Sequence, residues 1–166
     1  LAGGTPIELH PALPGAQGTR ELIPHPDGQR ILLLGDLDVA GVTDLYVARL
    51  DASTPPIRLD EPRSLTSDVF GTIPSGNTPL ISPGGDQVIY WQQDVPRQDL
   101  FTVSVDGSSS PELLNEPGLG DTVAGDVTHF QLSRDGGLLF FRADQVEDEH
   151  YDLFVVSTGA PGTPLS

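Results

Sequence analysis

Apolar residues fall along the chain in short runs separated by turn-forming residues. Three of these runs are continuous: Ile31–Leu34, Val88–Trp91 and Leu138–Phe141. Each is preceded by a Gly-containing turn at Asp27-Gly28, Gly84-Gly85 or Asp135-Gly136, and before that by a further apolar stretch. Such dipeptides between short apolar runs are strong hairpin signals. Consecutive rather than alternating apolar positions suit a strand covered on both faces. The spacing predicts leading strands over Thr19–Pro24, Thr78–Ser82 and Thr128–Ser133, and third strands over Leu45–Leu50, Leu100–Val105 and Leu153–Ser157. Fourth strands are predicted at Pro56–Leu59, at Pro111–Leu114 and from Pro164 onward.

The runs belong to a repeat. Gly28 lies 16 residues before Asp44, Gly85 lies 14 before Asp99, and Gly136 lies 16 before Asp152. A proline follows each of these aspartates by 12 residues, at Pro56, Pro111 and Pro164. Units of four antiparallel strands repeated about an axis make a β-propeller. The expected fold class is therefore all-β, one propeller segment over residues 1–166. Its blades are expected at 19–59, 78–114 and 128–166. Residues 4–10 (Gly4-Thr5-Pro6-Ile7-Glu8-Leu9-His10) resemble Pro56-Ile57-Arg58-Leu59, so they are expected to form the outer strand of a preceding blade.

The pattern Ser-Pro-x-Gly, apolar strand, acidic loop, Asp-Leu-Tyr/Phe-x-Val resembles the TolB-like propeller repeat. It is carried by Ser82-Pro83-Gly84-Gly85 and by the segments starting Asp44-Leu45-Tyr46, Asp99-Leu100-Phe101 and Asp152-Leu153-Phe154. No unit matches in full: His25 stands for Ser, Gly84 for Asp and Arg134 for Pro. The resemblance implies a periplasmic, cell-surface or secreted bacterial protein that engages other proteins. Similar repeats also form the propeller of prolyl-oligopeptidase-like hydrolases, whose catalytic residues lie in a separate domain. Propellers close with about 4 to 8 blades. Three blades predict a remainder, supplied by a longer native chain or by a homodimer completing a six-bladed ring.

Composition sharpens this. The 19 Gly and 16 Pro fit short strands and many turns. Twenty-four acidic residues face eight basic ones, all arginine, for a net charge of −16. That repels phosphate backbones and argues against nucleic acid as a partner. No stretch approaches the roughly 18 apolar residues of a membrane helix, so no membrane insertion is expected. The chain has no cysteine, which removes disulfides and thiol chemistry. Methionine is also absent, including at position 1, and no signal-peptide pattern opens the chain. These features are expected of a processed or excised piece.

In an up-and-down blade, the second-to-third and fourth-to-next-first connections share one end. Here they are Gly35–Thr43, Gln93–Gln98, Ala143–Tyr151, Asp60–Asn77 and Asn115–Asp126, long and acidic. Loops on a rigid scaffold concentrate binding residues. Asp36, Asp38, Phe70, Asp94, Asp144, Glu147 and Asp148 are therefore the expected contacts for a protein partner or other ligand, with Ile73 a further apolar candidate. Asp36 and Asp38 also resemble the start of a calcium loop, since alternating carboxylates in a turn supply hard oxygen ligands. The twelve-residue pattern is not completed, because Val47 stands where the closing Glu belongs. Calcium is thus an alternative, as a stabiliser of a surface repeat module. Asp44, Asp99 and Asp152 are expected to accept hydrogen bonds from backbone N–H groups of their own loops.

Nothing in the sequence assembles a catalytic site. His10, His25, His129 and His150 show no zinc-ligand spacing, there is no G-x-S-x-G elbow, and no phosphate-binding loop exists without lysine. Trp91 is expected in the core. The reading is a non-catalytic propeller scaffold without a required cofactor.

Overall fold

The computed structural model describes residues 5–10, 17–60, 78–94, 97–115, 126–147 and 150–158. It is all-β. The first sheet runs β1(Thr19–Pro24), β2(Arg30–Gly35), β3(Asp44–Arg49) and β4(Ile57–Arg58), each strand antiparallel to its chain neighbour. The second repeats this order with β5(Leu80–Ile81), β6(Gln87–Asp94), β7(Arg97–Ser104) and β8(Glu112–Leu113). The third holds β9(Val127–Leu132), β10(Leu138–Glu147) and β11(His150–Ser157). The segment from Pro164 lies outside the described residues.

The repeat extends to individual hydrogen bonds. In the three first turns, Gly28, Gly85 and Gly136 donate to the carbonyls of His25, Ser82 and Ser133 at 2.8–3.1 Å. All three glycines have positive φ, 65°, 75° and 78°, which L side chains adopt only at a cost. The fourth strands are tied in the same way: Leu59 N–H bonds Leu45 O and Leu114 N–H bonds Leu100 O, both at 2.8 Å.

The sheets stack face to face. Leu32, Leu34, Leu45 and Val47 of the first sheet form one core with Val88, Tyr90, Val103 and Val105 of the second. The opposite face of the second, with Ile89, Trp91 and Leu100, forms another core with Phe130, Leu139, Phe141 and Val156 of the third. This stacking explains the continuous apolar runs in β2 and β6, where successive side chains point into different cores. Trp91 is fully buried, and its indole N–H reaches across the junction to the Val127 carbonyl at 2.6 Å.

One expectation differs from the structure. Gln93–Gln98 and Ala143–Tyr151 are not long loops. Strand pairing continues to Asp94↔Arg97 and Glu147↔His150. Backbone pairing does not require apolar side chains, so the loss of hydrophobicity marks the edge of burial rather than the end of the strand. Residues 5–10 pair with none of the three sheets, and Leu9 packs on the outer face of the first, against Leu33, Tyr46 and Ala48.

Candidate functional site

The carboxylates of the long-loop end are set by strand register. Asp36 follows β2 opposite Gly18, and Asp144 sits in β10 at the corresponding place. Asp36 accepts the N–H groups of Gly18 and Gly41 at 2.8 and 2.9 Å, and Asp144 accepts that of Asp126 at 2.6 Å. Both are buried. The bonds from Gly41 and Gly18 hold the Asp36 carboxyl below the usual carboxylate range. These two aspartates tie the entry of a first strand to the exit of the second. Their oxygens face backbone rather than solvent.

Asp44 lies at the start of β3, buried on the outer face of the first sheet. Arg58 on the neighbouring β4 donates to Asp44 at 2.8 Å and to Asp60 at 3.1 and 3.2 Å. Asp60 also accepts the Leu45 N–H at 3.0 Å, Tyr46 donates its hydroxyl to Asp44 at 3.3 Å, and Asp38 stands 3.7 Å from the guanidinium. The second sheet repeats this in neutral form. Asn115 donates to Asp99 at 2.9 Å and accepts the Leu100 N–H at 2.7 Å. Asp44 and Asp99 thus bond side chains in and just after the fourth strand, Arg58 14 residues and Asn115 16 residues further along, which the β3–β4 and β7–β8 pairings bring alongside. Asp152 is half-exposed and stands 3.7 Å from His150 Nε2.

Sequence reasoning missed the pairing of Arg58, Asp60 and Asn115 with these aspartates. The signal was present as a second recurrent spacing, Asp44 to Asp60 and Asp99 to Asn115. The calcium alternative gains nothing from the arrangement. Asp36 is turned onto backbone N–H groups, and the cation among Asp38, Asp44 and Asp60 is the Arg58 guanidinium. Among the described residues no group of three potential ligands converges.

Burial, and then the charge of Asp60, raise the Asp44 pKa from 3.8 to about 7 against the opposing pull of Arg58. Between those values the folded chain binds a proton that the unfolded chain has lost. This contribution to stability is present at low pH and is lost as pH rises through about 7. Asp27, Asp51, Asp106 and Asp135 are held below their usual values, chiefly by hydrogen bonds from neighbouring residues, and act in the opposite sense under more acidic conditions. The melting temperature should therefore fall between about pH 5 and pH 8, and Asp44→Asn should flatten that slope. An unchanged slope in Asp44→Asn, followed by circular dichroism, would remove Asp44 as its source.

Of the other residues expected to bind, Asp38 and Glu147 are exposed. Asp94 closes the β6–β7 hairpin opposite Arg97. Phe70, Ile73 and Asp148 lie outside the described residues.

The short-turn end carries two corresponding grooves between sheets. The groove between the first and second sheets encloses about 320 Å³ and includes Asp27 with its partner Arg30 at 2.8 Å, and Arg49. That between the second and third encloses about 570 Å³, with Gln87 and Ser82 beside Asp86, Glu112 and Asp135. In the second groove the Ser82 hydroxyl donates to Asp86 at 2.7 Å.

No protein-family model and no curated protein matches the sequence. Solved structures do. Over 94% of this chain and 50% of its own, a TolB from Agrobacterium tumefaciens is similar, with a TM-score of 0.54 and 21% identity. Puromycin hydrolase is similar over 99% of this chain and 26% of its own, with a TM-score of 0.63 and 21% identity. A puromycin-hydrolyzing peptidase of Mycobacterium tuberculosis is similar over 94% and 24%, with a TM-score of 0.60 and 18% identity. The chain thus spans half of the TolB and about a quarter of each hydrolase. At these identities the likeness establishes the fold.

Proposed function

With its fold that of a TolB-like β-propeller segment, we propose that the chain is a non-catalytic scaffold that binds a basic protein partner through its long-loop end. One observation carries this reading, the division of the carboxylates at that end. Asp36, Asp44, Asp60 and Asp144 are buried and bonded, so they build the scaffold, whereas Asp38 and Glu147 stay exposed on it. A rigid frame with exposed charge of one sign attracts a partner of the other sign and steers its approach. The net charge of −16 favours a cationic partner. The resemblance to TolB supports a place in the periplasm or at a bacterial cell surface.

A labelled oligoarginine peptide tests the charge preference by fluorescence anisotropy. Binding should weaken with salt and fall several-fold in Asp38→Asn/Glu147→Gln, and it should be unchanged in Asp27→Asn/Asp106→Asn at the other end. Equal losses in both variants would reduce the interaction to unspecific charge attraction and sink the reading.

A second reading is that the chain is the propeller part of a larger hydrolase. The better superposition on puromycin hydrolase, 0.63 against 0.54 for the TolB, favours it. A G-x-S-x-G motif further along the same open reading frame would support it. Further repeats there with no such motif would support the first.

A further inference from the structure

The repeat assigns each strand position to one junction. At the second-strand and third-strand positions that face the following sheet, the first sheet places Leu32, Leu34, Leu45 and Val47, and the second places Ile89, Trp91, Leu100 and Thr102. All eight are buried. In the third sheet the same positions hold Phe140, Arg142, Leu153 and Val155. There Leu153 is 76% and Phe140 38% exposed, and Arg142 is exposed too.

The opposite end of the stack shows the complement. Pro79 and Phe130, which face the preceding sheet, are buried. Their counterpart in the first sheet, Leu22, is 58% exposed on the outer face, beside Leu33 in the cross-strand register. Among the described residues, Leu9 and Leu37 cover part of that face.

From these two half-junctions, which no described residue fills, we propose that a second copy of this chain docks on the third sheet. The outer face of the third sheet in one copy packs on the outer face of the first sheet in the other, and the reciprocal contact closes the pair. Each half-junction is unlike the other but complementary to it, and a two-fold axis pairs both at once. Charge selects the same register. Arg142 occupies the repeat position of Leu34 and Trp91, near the long-loop end. On the facing surface at that end Asp38 is exposed, 3.7 Å from the Arg58 guanidinium, which is already paired with the buried Asp44 and Asp60 and is the cation beside them among the described residues. Arg142 supplies a second. Within its own copy, its guanidinium lies 4.2 Å above the Tyr151 ring and donates to Thr128, both of the same sheet.

Sedimentation velocity on the 166-residue chain tests this. The expected species is a dimer of about 35 kDa, twice 17.6 kDa. Leu153→Asp, a change at an exposed position, should weaken the dimer by about a hundredfold while leaving the circular dichroism spectrum unchanged. Arg142→Glu should weaken it by about tenfold, and adding Asp38→Arg in the same chain should restore most of that loss. A monomer at every concentration, open-ended aggregation without a discrete dimer, or a dimer indifferent to Leu153→Asp would each overturn the proposal. A dimer that Asp38→Arg fails to restore would overturn the register assigned to Arg142.

Discussion

Arg58→Met should destabilise the chain by about 3 kcal/mol at pH 7.5, measured by urea unfolding. The side chain removed is partly exposed, but the two carboxylates that it neutralises are not: Asp60 shows 0% and Asp44 2% of its side chain to solvent. Losing the guanidinium leaves two buried acids facing each other, and their desolvation then dominates the energetics. Asp44, already raised, takes up a proton, so the loss should shrink as pH falls towards 5. Asp60→Asn in the Arg58→Met background should recover part of it, since the second sheet holds the same position with neutral Asn115. A loss below about 1 kcal/mol at neutral pH would mean that the group behaves as a surface ion pair.

Trp91→Ala should cost about 4 kcal/mol, the range for removing a large aromatic from a packed core. Trp91 fills the junction between the second and third sheets, and its N–H satisfies the Val127 carbonyl. Truncation opens a cavity and strands that carbonyl. Trp91→Phe separates the two effects. It keeps much of the packing and loses the bond, with an expected cost of about 1–2 kcal/mol. Hydrogen exchange should locate the damage in β9 and β10 more than in β2 and β3. Uniform loss of protection in all three sheets would mean that the stack unfolds as one unit.

These two side chains also mark how far the sequence could be read. Trp91 was legible because it stands in a continuous apolar run, and such a run has few homes other than a core. The turns at Gly28, Gly85 and Gly136 were legible because a left-handed backbone position leaves a trace in residue choice. Arg58 was not, because its partners lie 14 and 2 residues away and meet it only once β3 and β4 pair. The polar ends of β6 and β10 were read as loops for a related reason, since hydrogen bonding between backbones is blind to side-chain polarity. Asp36 and Asp144 illustrate a further gap. Acidity in a connection reads as exposed charge until strand register brings a backbone N–H to each carboxylate.

Every pairing in the three sheets joins strands adjacent in the chain. Each hairpin can close over a short loop, so little chain entropy is lost before backbone bonds begin to form. The sheets can then form separately and zip together at their junctions, with Trp91 among the side chains that wait for a neighbour. Changes at the two stacking cores should therefore act mainly on how fast the structure comes apart, and changes in the glycine turns on how fast it assembles.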